Sequence, residues 1–327
     1  MALRIGLCYD QKEDYLAAGF SPEAVMEFDD EETVAGIADT LSSLGHRVER
    51  VGRGVELARR LAAGERWDLL FNIAEGVAGR SREAQVPALA EMFSQAYTFA
   101  DPLTCALTLD KAMAKRVVRD AGLPTADFVV VAEPPDLGAV ELPFPLFLKP
   151  VAEGSSKGVT GQSLVTSRDQ LGTAGEALLE RFRQPVLVER YLPGREVTVG
   201  IVGNGATARV LAVMEVIVAA GEETHAYTAL AKKEWQQRVR YRLVDGELAR
   251  EAGQLALAAY HLLGCRDAAR LDLRADADGR LHFLEANPLP GLNAEWSDLP
   301  LMVRLAGGTY RELLAAIVDA ACRRVGL

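Results

Sequence analysis

An α/β fold that opens with a parallel sheet is predicted by two observations on this chain of 327 residues. Strand and helix patterns alternate as β-α-β-α-β through residues 3–73, which implies parallel strands covered by helices. Beyond Pro102, further strand patterns fall into two smaller units separated by turn signals. The length allows two or three domains with ample buried core, so no disulfide or metal staple is required for folding.

The first strand is expected at residues 3–9, followed by an acidic stretch and a helix at 31–44 that stops at Gly45. A strand at 46–51, a helix at 55–63 and a strand at 68–73 complete the first unit. A helix at 110–120 stops at Gly122 and Pro124, and strands at 128–131, 146–149 and 161–165 form the second unit. Strands at 186–189, 196–202 and 209–218, a helix at 247–263, a hairpin and a closing helix at 310–322 form the third. The units are placed at 1–103, 104–185 and 186–327.

Net charge is -10, which argues against nucleic acid or another polyanion as the main partner. No apolar run is long enough to span a bilayer, and residues 1–9 read as a strand instead of a charged and then apolar leader. A cytoplasmic protein without a membrane partner is therefore expected. Cys8, Cys105, Cys265 and Cys322 lack Cys-x-x-Cys spacing and read as reduced, buried thiols.

The densest chemistry lies on the predicted hairpin. Residues 270–274 alternate as a strand, 275–279 are a polar turn, and 281–287 return. Residues two apart share a face, so Glu285 and Asn287 point the same way. Asp272 joins them from the neighbouring strand if the register allows. Two carboxylates and an amide oxygen suit magnesium, which takes hard oxygen ligands together with waters and phosphates. A solvated hairpin with ordinary surface acids accounts equally for this run taken alone.

Glu153, Gly154, Ser155, Ser156, Lys157 and Gly158 lie between two strands and combine backbone amides, hydroxyls and a lysine, which suits a flap over a polyphosphate. The P-loop pattern is missing, and a plain turn explains the segment as readily. Lys149 ends an almost wholly apolar strand, where its ammonium must snorkel to solvent or meet an anion. Pro150 stops that strand beside the loop and favours the anion. Residues 186–192 can place adenine among apolar side chains, with Glu196 accepting from ribose hydroxyls, and an edge strand with surface charges explains the segment nearly as well.

Lysine strand, Gly-Ser flap, Glu-bearing connector and acidic hairpin occur in that order. From about residue 69 to residue 300 they resemble the ATP-grasp fold, and more closely the D-alanine:D-alanine ligase family. The resemblance is carried by Asp110, Lys111 and Lys115 on a helix, by Lys149, Glu153, Ser155 and Ser156, by Glu189, Leu192 and Glu196, and by Glu285, Asn287 and Gly291. It implies an N-terminal Rossmann-like parallel-sheet domain and two α+β subdomains that enclose the nucleotide.

It also implies roles. Lys111 and Lys149 hold the nucleotide phosphates, and the loop with Glu153, Ser155 and Ser156 closes over them. Glu189 and Leu192 border adenine, and Glu196 takes the ribose. Lys232 reaches the γ-phosphate. Asp272, Glu285 and Asn287 bind two magnesium ions, with manganese as a substitute, and Arg270 stabilises the charge that develops during acyl transfer. The implied reaction converts a carboxylate into an acyl phosphate with ATP, and an amine then displaces phosphate to give an amide.

Departures from the family's pattern fall where substrates bind. The family's His-Gly-x-x-Gly-Glu-Asp-Gly stretch is replaced by a segment carrying Glu75 and Glu83. Trp296 stands where the family's carboxylate-binding serine is expected, with Ser297 next to it. Either Trp296 lines an altered acceptor pocket, or it packs on Leu299 and Leu301 while Ser297 takes the carboxylate. The expected activity is a dipeptide or amide ligase acting on a small carboxylate and a small amine, with a homodimer as the candidate assembly. A ligase of specialised metabolism using other substrates, a non-catalytic nucleotide-binding protein and an ATP-grasp kinase are the alternatives.

Overall fold

The computed structural model describes residues 2–218 and 239–327. Its first unit runs β1 (Arg4–Cys8), α1 (Lys12–Ala17), α2 (Glu31–Ser43), β2 (Arg47–Gly52), α3 (Gly54–Ala62), β3 (Leu69–Asn72), α4 (Gln85–Met92) and α5 (Pro102–Leu109). The strands pair in parallel in the order β2-β1-β3, as the alternation predicts. Helix α2 starts where Asp30 accepts from the amide of Thr33 at 2.9 Å, satisfying one of the unpaired first-turn donors. Helix α5 crosses residue 103, so the boundary drawn there falls inside an element.

The central unit holds α6 (Lys111–Asp120), β4 (Phe128–Val131), β5 (Leu146–Pro150), β6 (Leu164–Val165), α7 (Arg168–Phe182) and β7 (Val186–Arg190). Its strands are antiparallel in the order β4-β7-β5-β6. Two expectations are corrected here. The strand at 186 belongs to this sheet and not to the third unit, because β7 pairs with β4 on one side and β5 on the other. The segment 161–165 is a strand only over Leu164–Val165, since Gly161–Ser163 is a 3-10 turn with Thr160 accepting from the amide of Gln162.

The last unit holds β8 (Glu196–Val202), β9 (Arg209–Val218), β10 (Val239–Leu243), α8 (Gly246–Leu262), β11 (Ala268–Ala275), β12 (Leu281–Asn287), α9 (Asp298–Leu305) and α10 (Tyr310–Val325). Its antiparallel sheet has the order β10-β9-β8-β11-β12. One face packs Val199, Ile201, Leu271 and Phe283 against Ala256 and Tyr260 of α8. On the other side, Met302 of α9 and Leu314 and Ile317 of α10 share a core with Leu7, Ile37 and Phe71 of the first unit. Each such burial is worth about 1.5–3 kcal/mol, so the first unit is held by the chain's last two helices. Asp267 pins the same junction, accepting from the amide of Phe99 at 2.7 Å and from Arg324 at 2.7 Å.

Candidate active site

Two cavities meet at one wall made of Lys111, Glu153, Arg270, Glu285 and Asp298. The register of β11 on β12 builds the side that carries the candidate metal ligands. Asp272 lies opposite Glu285, and Arg270 lies opposite Asn287. The amide of Asn287 donates to Asp272 at 3.2 Å, and the hydroxyl of Thr198 on β8 donates to the other Asp272 oxygen at 2.7 Å. A bulge after Asp272 adds Leu284 to β12, so Leu284 and Glu285, though consecutive, both face the first cavity. The hairpin is therefore not a solvated turn with surface acids.

Arg270 is gripped from two sides, by Asp272 at 3.0 Å and by Asp298 at 2.9 Å. Burial works against its charge, but the two carboxylates outweigh that and hold the guanidinium above its ordinary range. Burial also raises the Asp272 carboxyl, with Arg270 opposing the rise and Glu285 adding to it. Two neighbouring carboxylates in a poorly solvated pocket favour a cation between them. For a divalent ion of magnesium type the donor set fits, since Asp272, Glu285 and Asn287 offer only hard oxygens once the Asn287 amide is turned.

The first cavity is backed by a buried charge cluster. Glu189 sits between Lys115 and Lys149, each 2.8 Å away. Burial pushes the Glu189 carboxyl up, but the two lysines overcome it and hold the group at about 2. The cluster carries one net positive charge, and Lys149 and Glu189 are its members that border the first cavity. Lys149 thus meets an anion, as its apolar strand predicts, but that anion is Glu189. The Glu189 carboxylate faces the two lysines and holds them, while the residue itself lines the first cavity beside Leu192.

Lys111 reaches Glu285 at 3.5 Å and donates to the Glu153 carbonyl. Glu153 itself takes Lys157 at 2.8 Å and the Gln184 amide at 2.6 Å. Ser155 and Ser156 both adopt left-handed backbone, and this double turn splits the loop between the cavities, with Ser156 on the first and Ser155 on the second. Leu192 and Glu196 border the first cavity, where Glu196 is paired with Arg274 at 3.1 Å. Lys232 lies outside the described residues.

The second cavity, of about 780 Å³, gathers Asn287, Glu75, Glu83, Trp296 and Ser297. Trp296 is half exposed on its wall, and it is not packed into the core beside Leu299 and Leu301. Ser297 is buried, its hydroxyl accepting from the amide of Asn293 at 3.0 Å. Sequence reasoning missed Asp298, Thr198, Glu27 and Arg82, because neither spacing nor residue type marks them. It passed over a role for Lys115, although Lys115 lies one helical turn from Lys111 on α6.

Residues 117–319 match the family model described as D-ala D-ala ligase C-terminus, which covers more than half of the chain. The chain belongs to the D-alanine:D-alanine ligase family. A D-alanine–D-alanine ligase of Sinorhizobium fredii is 33% identical over 94% of this chain and 97% of its own length. One from Bordetella petrii is 33% identical over 88% of this chain and 86% of its own. The solved D-alanine–D-alanine ligase of Bacillus anthracis shares the fold, with a TM-score of 0.75 at 21% identity over 98% of both chains. The fold is thus the ATP-grasp α/β architecture, and membership of the ligase family brings the reaction class, an ATP-dependent, ADP-forming ligase that makes a carbon–nitrogen bond. Among the described residues no helix is long and apolar enough to cross a membrane.

Proposed function

We propose that this ligase joins the carboxylate of one amino acid to the amine of another, with D-alanine as the nearest named substrate. The observation that carries the reading is the shared wall: phosphate-side lysine Lys111, metal-side Glu285 and the charge-stabilising Arg270 border both cavities at once. A phosphoryl group delivered from the first cavity meets a carboxylate held in the second. The donor oxygen attacks the γ-phosphorus and ADP leaves with the bonding pair. The acceptor nitrogen, as free amine, then attacks the acyl carbon, the bond to the phosphate oxygen breaks, and nitrogen gives up its extra proton.

Lys111 and Lys149 hold the phosphates, and Leu192 with Glu196 receives the nucleoside. Arg270, kept in place by Asp298, offers its guanidinium to the oxygen that gains charge during acyl transfer. Asp272, Glu285 and Asn287 would hold two magnesium ions, with manganese as a substitute, which would supply charge neutralisation to the phosphates. We read the protein as cytoplasmic, where ATP and free amino acids are supplied. The half-exposed Trp296 favours an acceptor with more apolar body than alanine, because an indole wall rewards buried apolar area. The test is ADP release with ATP and magnesium over a panel of D- and L-amino acids, with products identified by mass spectrometry. ADP without any amide, or a phosphorylated hydroxyl, would overturn the ligation and point to a kinase.

A further inference from the structure

The second cavity holds more carboxyl groups than two simple amino acids can answer. Asp29, Glu75 and Glu83 border it, and none of the three carboxylates has a hydrogen-bond or ion-pair partner among the described residues. Of the other carboxylates of that wall, Glu23 is paired with Arg181 at 2.5 Å, Glu27 with Arg82 at 2.8 Å, Glu153 with Lys157 at 2.8 Å, Glu285 with Lys111 at 3.5 Å and Asp298 with Arg270 at 2.9 Å. Asp30 caps α2 and meets no cation among the described residues. Among the described cations of the wall only Lys12 is without an ion pair, so the four carboxyl groups that lack a cation, Asp29, Asp30, Glu75 and Glu83, outnumber it by three. Alanine is a zwitterion and contributes no net charge to offset that excess.

We propose that one of the two substrates is a basic amino acid, a diamino acid whose side-chain ammonium is received by Glu83, Glu75 and Asp29. This rests on the ligase reading above and names its substrate class. Size agrees independently with charge. At about 780 Å³ the cavity lies within the range that holds a drug-sized ligand, well beyond a pair of alanines. Its wall also supplies apolar surface for an aliphatic stem, from Met26, Ile73, Leu109 and Leu289. The empty cluster behaves as a site lacking its cation. Burial and mutual repulsion raise the Glu75 carboxyl well above its ordinary range, and burial with the charge of Glu27 lifts Glu83 to about 7 despite Arg82. Burial with Asp30 likewise lifts Asp29 to about 7. An ammonium among them restores their charge and gains three acceptors.

The experiment compares lysine and ornithine with norleucine, the uncharged analogue of lysine, in D and L forms. Each is paired with D-alanine, and ADP release and amide mass are followed. The expected result is a kcat/KM at least tenfold higher for lysine or ornithine than for norleucine, carried mainly by KM. In Glu83→Gln and Asp29→Asn that preference should fall toward unity, while nucleotide KM stays put and thermal melting confirms folding. Equal or better use of norleucine by the wild type overturns the inference, as does a preference that survives both substitutions. Efficient D-alanyl-D-alanine synthesis with no use of basic amino acids leaves the ligase reading standing and removes this one. No amide from any pair overturns both.

Discussion

At the scale of single residues, the site separates groups kept for chemistry from groups kept for stability. Glu285 is partly exposed, and its pairing with Lys111 at 3.5 Å is opposed by the like-charged Asp272 in the same pocket, so the fold gains little from it. Glu285→Ala should abolish magnesium-dependent turnover and leave the melting temperature unchanged or slightly higher. Normal turnover in that variant would remove Glu285 from the metal set. Glu83 is clearer still. Its folded carboxyl titrates near 7, against an ordinary value of 4.5. Between those values the folded chain keeps a proton that the unfolded chain has lost, so stability falls as pH rises from 4.5 and the loss is complete above 7. Glu83→Gln should therefore melt at a higher temperature than wild type at pH values above that window, and near wild type below it. A melting difference independent of pH would refute the buried-carboxyl assignment.

At the scale of elements, the flap shows how a short loop is fixed by its last residue. Gly158 has φ +81°, and a Cβ there would lie 2.6 Å from Pro150 and 2.9 Å from Phe182. Left-handed backbone costs a non-glycine residue about 1–2 kcal/mol, and the contact adds to it. Gly158→Ala should lower stability by at least that much and weaken nucleotide binding, measured by denaturant melts and calorimetry; unchanged values in both would show that the loop re-forms elsewhere. Most elements were legible because their patterns are local. Gly45, Gly122 and Pro124 mark helix ends, and alternation through residues 270–274 marks a strand with two buried and three site-facing positions. Pairing partners were not legible. Strand β7 reads the same whether it opens the last unit or fills the central sheet, since register is a long-range property. The bulge that turns Leu284 toward the cavity has no marker in the sequence, and Glu189 could be seen as a site residue without showing that its carboxylate faces two lysines. Asp298 gains its meaning only from Arg270, which lies 28 residues away in sequence.

At the scale of the whole molecule, the first unit reaches across the site to hold the flap. Glu27 pairs with Arg82 at 2.8 Å and accepts from the amide of Gly154 at 2.7 Å, and Arg82 also donates to the Ala152 carbonyl at 2.9 Å. Farther out, Glu23 meets Arg181 of α7 at 2.5 Å. The Glu27 and Arg82 side chains are about nine-tenths buried, so this is a different kind of contact from an exposed ion pair, which is worth roughly 0–1 kcal/mol. Burial pushes the Glu27 carboxyl up, yet Arg82 and the Gly154 amide overcome it and hold the group below its ordinary range. Removing one partner of a buried pair leaves the other charge uncompensated, at a cost of about 3–5 kcal/mol. Glu27→Ala should therefore lower global stability by an amount of that order. Because the lost contacts are those of the loop at 153–158, amide exchange there should speed up more than in the sheet β8-β9-β11. The Glu23→Ala variant, which breaks only the exposed pair, should change neither quantity appreciably. If exchange in the loop is equally slow in wild type and Glu27→Ala, the flap is held by the central unit alone and the first unit does not control it.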